Sequence, residues 1–403
     1  MAEITVYGAP WCPDCKRSKR FLSEQRVSYR SVDIDQDAAG LAAVERLQGG
    51  GRTIPTIVFG DGSWVAEPSD EELARRLGLT LEPQRLSYDL AIVGGGPAGL
   101  AAAIYAAREG IDAIVIDSGG LGGQAGVTER IDNYPGFPEG ISGAEIADRF
   151  IAHAKRYRVE LLAAVGVERL AREGDDVTLT LSSGREVCAH AVIVATGSTY
   201  RRLGVPGEED LIGAGVHFCA TCDGPFYRGA DELAVIGGGN SALEEGMFLT
   251  QFAKKVVVLQ LLPELTASRT LREKVENDPR FEVHLNTAVK ELRGTPKLEE
   301  IVALDQSSGE ELRLHPAAVF VFIGLDPNTQ FVRGTLDLDE HGFVRTDAAF
   351  TTSMPGVFAA GDVRSGSTKQ LGSAVGDGIA ALIAVRRYLE AHHEVPHIDA
   401  AEM

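Results

Sequence analysis

Cysteine is scarce in this chain, five in 403 residues, and methionine (four) and tryptophan (two) are scarcer. Positive charge is also short: 39 Lys and Arg face 58 Asp and Glu, a formal net charge of −19. An acidic surface repels phosphate backbones and anionic lipid, so neither nucleic acid nor membrane is an expected partner. No apolar run approaches the roughly 20 residues that a membrane helix needs. The opening "MAEITVYGAP" has no basic segment followed by an apolar one, so no secretory signal is read there. The expected location is the cytoplasm, where structural disulfides are rare. Even so, four of the five cysteines fall into two C-x-x-C pairs, Cys12/Cys15 and Cys219/Cys222. Neither pair has a histidine at zinc-ligand spacing. No metal is expected, and the pairs read as redox centres.

What is present fits a soluble protein of two or three domains, with 44% apolar and 24% charged residues. Over about the first 80 residues the pattern alternates strand and helix: "EITVY", "KRSKRFLSEQ", "SYRSVDI", "AGLAAVERLQ", "TIPTIVF" with Pro55 inside the strand, and "SDEELARRLG" behind a Ser cap. "GLTLEPQRLS" reads as a linker. From Tyr88 onward, "YDLAIVGGGPAGLAAAIYAAREGIDAIVID" is strand, glycine turn, helix and strand, and the pattern recurs from Glu232 to Gln260. "AVGDGIAALIAVRRYL" is an apolar helix, and the final "HIDAAEM" is expected to fray.

Gly94, Gly96 and Gly99 form G-x-G-x-x-G between strand and helix. The first permits the tight turn, the second lets a pyrophosphate approach the backbone, and the third lets helix and strand pack. The helix N-terminus offers free N–H groups to phosphate, and Asp117 closes the next strand within reach of a ribose hydroxyl. The second loop has Gly237 and Gly239, with Asn240 opening the helix and Ala242 in third place. A 2′-phosphate would call for arginine after the following strand. There is none from Gln260 to Ser268, and no acid stands at the strand end. NADH is favoured over NADPH, and use of neither stays open.

In "WCPDC", Cys12 stands at a predicted helix start, with Pro13 suited to the first turn. A helix N-terminus lowers a cysteine pKa. Lys16 and Arg17 favour the thiolate and Asp14 opposes it. Cys12 is therefore read as the nucleophile and Cys15 as the residue that resolves the mixed disulfide. The same stretch, with "TIPT" (Thr53 to Thr56), resembles the glutaredoxin and thioredoxin fold, closest to mycoredoxin-like glutaredoxins. The resemblance implies a cis Pro55 beside the disulfide, with Thr53, Pro55 and Trp11 shaping the substrate surface. "DGS" and "PS" stand where ordinary glutaredoxins hold glutathione. This points to another low-molecular-weight thiol disulfide or to a protein disulfide.

In "CATCDG", Asp223 directly follows the second pair, and a carboxyl there can carry the protons that dithiol chemistry moves. The motifs "GGGPAG", "GGQ" (Gly122 to Gln124), "NYPG" (Asn133 to Gly136), "ATG", "CATCDG", "GGGN" and "AAGD" (Ala359 to Asp362) follow in order. From Tyr88 to about Leu389 the chain thus resembles the low-molecular-weight flavoprotein thioredoxin reductases. The resemblance implies FAD held by the first glycine loop with Gly123, Gln124, Asn133, Thr196, Gly197, Gly361, Asp362 and Gln370. It implies a Cys219–Cys222 disulfide near the flavin with Asp223 as general acid, and a homodimer. It also implies a swivelling nicotinamide domain inserted in the FAD domain. Family members using NADPH carry arginines where this chain has "QLLPELT".

The expected class is α/β: an N-terminal thioredoxin/glutaredoxin fold, then two Rossmann-like three-layer nucleotide-binding domains. The expected divisions are a glutaredoxin-like domain (1–80), a linker (81–87), an FAD domain in two parts (88–201 and 323–395) and an NAD(P)H-type domain (202–322). The expected activity passes electrons from a reduced donor through FAD and Cys219/Cys222 to Cys12/Cys15, then to an external disulfide. The alternatives are a ferredoxin-like donor, an oxygen-using disulfide oxidase and a non-enzymatic redox sensor. Cys188, alone in an apolar strand, and Trp64 read as packing. His153, His217, His284 and His315 read as surface or core.

Overall fold

The computed structural model describes residues 4–392 except 10, 26, 127, 129, 130 and 132; the tail "HIDAAEM" lies outside the described residues. The chain divides into two compact units. One comprises Met1–Arg130, Tyr134–Ser198 and Pro327–Met403; the other comprises Ile131–Asn133 and Thr199–Asp326.

The first unit begins with a small four-stranded sheet. Its elements are β1 (Ile4–Gly8), α1 (Pro13–Glu24), β2 (Tyr29–Asp33), α2 (Ala38–Leu47), β3 (Thr56–Val58), β4 (Trp64–Ala66) and α3 (Asp70–Arg76). The strand order is β2-β1-β3-β4, with β1 parallel to β2 and antiparallel to β3. The helix starts are written in the sequence. Asp37 accepts the N–H groups of Ala39 and Gly40, and Ser69 accepts that of Glu72. Val6, Leu22, Ile57 and Leu73 fill the core. Two local expectations need correction. The strand begins at Thr56 and not before Pro55, because proline has no N–H for the ladder. Strand β4 was not foreseen, since three residues are too few to show a period.

Next come β5 (Ser87–Val93), α4 (Pro97–Arg108), β6 (Ala113–Ile116), α5 (Gly123–Gly126), α6 (Gly143–Arg156), β7 (Glu160–Leu162), β8 (Val167–Glu173), β9 (Asp176–Leu181) and β10 (Glu186–Val194). The chain leaves through β11 (Ser198–Tyr200), which pairs with the returning β20 (Leu325–Pro327). Between them the second unit holds β12 (Val216–His217), α7 (Ala220–Asp223), β13 (Ala230–Ile236), α8 (Asn240–Leu249), β14 (Ala253–Leu259), α9 (Arg269–Glu276), β15 (Phe281–His284), β16 (Thr287–Arg293), β17 (Glu300–Asp305), β18 (Glu311–Leu314) and β19 (Val319–Val321). After β20 follow β21 (Val357–Ala359) and α10 (Leu371–His392).

The large sheet of the first unit runs β7-β6-β5-β10-β9-β8, with β21 also on β10. The second unit has a parallel sheet, β12-β19-β13-β14-β15, and an antiparallel one, β16-β17-β18. Strands β5, β6, β13 and β14 end in unbroken apolar runs because both sheet faces are covered. The α/β class, with a thioredoxin-type fold ahead of two Rossmann-like domains, is therefore observed.

The stretch read as a linker is a clamp. Leu81 packs on the small core and on a core of the large sheet. The Gln84 N–H donates to Glu160 Oε1 at 2.6 Å, and Arg85 pairs with Asp112. The end of α1 rests on the loop after β6, where a Cβ on Gly120 would lie 1.8 Å from the Glu24 carbonyl oxygen.

Helix α10 meets α4 just as closely: a Cβ on Gly378 would lie 2.1 Å from the Ala98 carbonyl oxygen. Gly378→Val is expected to push α4 off the sheet, at a cost of about 1–3 kcal/mol from overpacking. Thermal unfolding checks this; an unchanged midpoint would show that the crossing has slack.

Candidate redox and dinucleotide sites

In the first unit Cys12 is the N-cap of α1 and Pro13 stands in its first turn. Cys12 Sγ accepts the Cys15 N–H at 3.0 Å, so sulfur takes the place usually filled by a Ser or Asp oxygen. The two cysteines form a disulfide with Cα atoms 5.2 Å apart. Both are buried, Cys12 at 4% exposure and Cys15 at 1%. Cys12 is thus the slightly more accessible sulfur, and Trp11 beside it is 68% exposed. Cys12 Sγ lies 3.8 Å from the carbonyl oxygen of Ile54, whose peptide bond to Pro55 is cis. Gln48 fixes this loop: its side chain accepts the Thr53 N–H and donates to the Thr53 carbonyl. The expected help from Arg17 is absent. Its guanidinium binds Asp70 at 2.6 Å, the Pro68 carbonyl at 2.7 Å and Asp14 at 3.3 Å.

The first glycine loop is a backbone cradle. Gly94 has φ +112°, and a Cβ there would lie 2.3 Å from the Ala195 carbonyl oxygen and 2.8 Å from the Thr196 nitrogen. A Cβ on Gly99 would lie 1.9 Å from the Gly94 carbonyl. Gly96 is the N-cap of α4 and offers no side-chain cap, so the first N–H groups of that helix are left for a ligand. Gly123 faces Gly96 across this opening. These residues fit a dinucleotide pyrophosphate. Asp117 straps the cradle: its carboxylate accepts the Gly95 N–H at 2.6 Å and the Gly119 N–H at 2.8 Å. Burial pushes the Asp117 carboxyl above its usual range, and the two loop amides oppose the shift.

Thr196 donates its hydroxyl to the Asn328 carbonyl at 2.7 Å. Gly197 has φ +67° and open space at its Cβ position, while Gly361 (φ +74°) packs on Ala98 at the start of α4. Asp362 is half-buried, and desolvation raises its carboxyl; it accepts the Ser367 hydroxyl at 3.1 Å, and Lys369 Nζ donates to its carbonyl. Burial lowers the Lys369 amine, a residue that sequence reading missed beside Gln370. Gln370 precedes α10, and its carbonyl accepts the Ser373 hydroxyl. Gln124 and Asn133 are exposed.

In the second unit Cys219 is the N-cap of α7 and accepts the Cys222 N–H at 3.1 Å, and the pair forms a disulfide. His217, read as surface or core, is buried, and it has two polar neighbours. Its Nδ1 lies 3.4 Å from Asp223 Oδ2 and its Nε2 2.7 Å from the Tyr227 hydroxyl. His284 likewise has a partner, Glu282. No cluster of metal-ligating side chains occurs among the described residues.

The second glycine loop repeats the frame. Gly237 has φ +124° and Gly239 caps α8 without a side-chain bond. Its covering differs. The Gly238 carbonyl accepts N–H groups from Thr266 and Ala267, and Asn240 Oδ1 accepts that of Ser268 at 2.7 Å. Gln260 is buried against Gly238, with Nε2 on the Glu264 carbonyl at 3.0 Å. Leu261 and Leu262 are exposed, and Arg269 is paired with Glu273.

Residues 88–378 match the family model "Pyridine nucleotide-disulphide oxidoreductase" and residues 4–64 match "Glutaredoxin". The chain is 41% identical to a thioredoxin reductase of Mycolicibacterium smegmatis over 303 residues, 75% of this chain and 96% of that protein. It is 38% identical to a bifunctional thioredoxin reductase/thioredoxin of Mycobacterium leprae, over 76% of this chain and 66% of that protein. A solved thioredoxin reductase from Streptococcus pyogenes superposes with a TM-score of 0.73 at 38% identity, over 76% of this chain and 99% of that one.

Asp117→Asn replaces one of the two acceptor oxygens with an NH2 that faces one of the two loop N–H groups. Loss of a charge-assisted bond predicts FAD binding weakened by about tenfold to a hundredfold. Fluorescence titration of the apoprotein reads this out; unchanged affinity would show that the strap is dispensable.

Proposed function

Because the chain belongs to the pyridine nucleotide-disulphide oxidoreductase family and carries a glutaredoxin domain ahead of it, we propose that its two cysteine pairs are successive stations of one electron path. The chain is an FAD-dependent disulfide oxidoreductase of the thioredoxin reductase type. The observation that carries the relay is the repeated geometry, a disulfide closed across the N-cap of a helix in each unit.

Bound FAD supplies the electron pair for the first disulfide. The Cys219–Cys222 bond then breaks, and Asp223, next in sequence, gives a proton to a leaving sulfur. A thiolate of that pair attacks the Cys12–Cys15 bond; the mixed disulfide forms and is resolved by its partner cysteine. Cys12, at the N-cap and beside exposed Trp11, then attacks an external disulfide, of a low-molecular-weight thiol or a protein. Cys15 closes back on Cys12. Tethering holds the relay at an effective concentration on the order of millimolar, replacing a diffusing carrier.

The electron donor is NADH. Supporting this, Gln260 to Ser268 carry no cation, Gln260 is buried, and Arg269 is committed to Glu273. A 2′-phosphate has no counter-charge on this stretch. The assembly is a homodimer on the family pattern.

Anaerobic stopped-flow at the flavin band near 450 nm tests the donor. NADH is expected to bleach the flavin faster than NADPH. The reverse order would overturn the NADH reading, and bleaching by neither would move the donor to a low-potential protein such as a ferredoxin. Cys12→Ser is expected to bleach at the normal rate and to lose turnover of external disulfides; retained turnover would show that the Cys219/Cys222 pair serves substrates directly.

A further inference from the structure

The second unit places a histidine between the acid of the Cys219–Cys222 pair and a tyrosine. His217 is 7% exposed and Asp223 18%. The imidazole Nδ1 stands 3.4 Å from Asp223 Oδ2, and Nε2 hydrogen-bonds the Tyr227 hydroxyl at 2.7 Å. Its ring is also fixed by aromatic contacts to Tyr227 and Phe320, at 5.4 and 5.3 Å between centroids. Few other charges bear on it. Strand β19, paired with β12, brings Phe320 and no charge. Helix α8, packed on α7, brings Glu245, which accepts the Ala220 N–H and whose carboxyl is raised by burial and by Glu244. Arg202 lies 4.2 Å over the ring of Phe218, next to Cys219.

We propose that His217 is a positioning residue of the dithiol site: with Tyr227 it makes Asp223 one end of a proton relay serving Cys219 and Cys222. This rests on Asp223 being the acid. The relay holds one transferable proton. In one form Asp223 is a carboxylic acid with one oxygen facing Nδ1–H of a neutral imidazole, and Nε2 accepts the Tyr227 O–H. In the other, with the same proton count, Asp223 is a carboxylate beside an imidazolium. When an electron pair enters the disulfide and the S–S bond breaks, two thiolates result. Asp223 passes its proton to one of them and becomes a carboxylate. The neutral imidazole then presents Nδ1–H to that carboxylate, while Nε2 accepts the Tyr227 O–H. A half-buried carboxylate left without this donor would be poorly solvated, which disfavours the proton transfer that creates it. The histidine therefore stabilises the carboxylate that the transfer leaves behind. When the dithiol reduces the next disulfide, the thiol proton returns by the same route.

The test compares wild type with His217→Gln, Tyr227→Phe and Asp223→Asn as FAD-loaded full-length proteins. Two quantities are read across pH 5–9: steady-state disulfide turnover, and iodoacetamide alkylation of Cys219 and Cys222 after dithiothreitol reduction, resolved by peptide mass. Gln is polar and of similar reach but cannot carry the proton. His217→Gln is expected to lower turnover about tenfold, to change the shape of the pH profile, and to shift the alkylation midpoint. Tyr227→Phe should move both in the same direction by less. Asp223→Asn should cost about a hundredfold or more, as loss of a general acid does. If His217→Gln keeps the wild-type pH profile and alkylation midpoint, the relay is overturned even when Asp223→Asn is inactive. Wild-type turnover in Asp223→Asn overturns the acid assignment itself. Should His217→Gln fail to retain FAD, Tyr227→Phe decides, and an unshifted profile there overturns the relay.

Discussion

The chemistry of this protein depends on how four helices begin. Every helix leaves its first N–H groups without an internal partner. Here Cys12 and Cys219 cap α1 and α7 with sulfur, and Gly96 and Gly239 leave α4 and α8 without a side-chain cap. The sulfur caps place a nucleophile at the positive end of a helix. The glycine caps leave the same donors open to a pyrophosphate. One constraint of backbone hydrogen bonding thus serves two chemistries, and the rest of each unit holds these starts in place.

The two nucleotide loops show how alike frames diverge through what covers them. Both turn at a positive-φ glycine whose missing Cβ admits a carbonyl oxygen, of Ala195 in one and Phe322 in the other. The first loop is then strapped by a side chain, Asp117, which binds amides on either side of it. The second is strapped by main chain, with Thr266 and Ala267 folded back on Gly238 and Gln260 packed beneath. The stretch after β14, which would otherwise offer charge to a ligand, is spent on closing the loop and leaves Leu261 and Leu262 at the surface.

Within the first unit the small domain is seated, not merely strung on a tether. The end of the cysteine-bearing helix lies on Gly120, three residues beyond the strap Asp117, and the Glu24 carboxyl is raised chiefly by burial there, with Asp117 adding to the effect. The clamp of Leu81, Gln84 and Arg85 fixes the chain between the two sheets. Glycine at Gly119 and Gly120 is what permits the approach.

By itself the sequence determined the fold class, both cysteine pairs, both glycine turns and the caps of α1 and α3. Those features depend on spacing, on φ and on the absence of a Cβ, all of which are local. Tertiary structure decided the meetings between elements. Arg17 turned to Asp70 and away from the thiol, Asp117 closed on Gly95, Gln260 filled the space beneath Gly238, and His217 took a place between Asp223 and Tyr227. Each is a side chain whose role is set by what packs against it. A run such as "VHFC" does not tell which groups His217 meets; only the fold of α7 and the turn after it brings Asp223 and Tyr227 to the histidine.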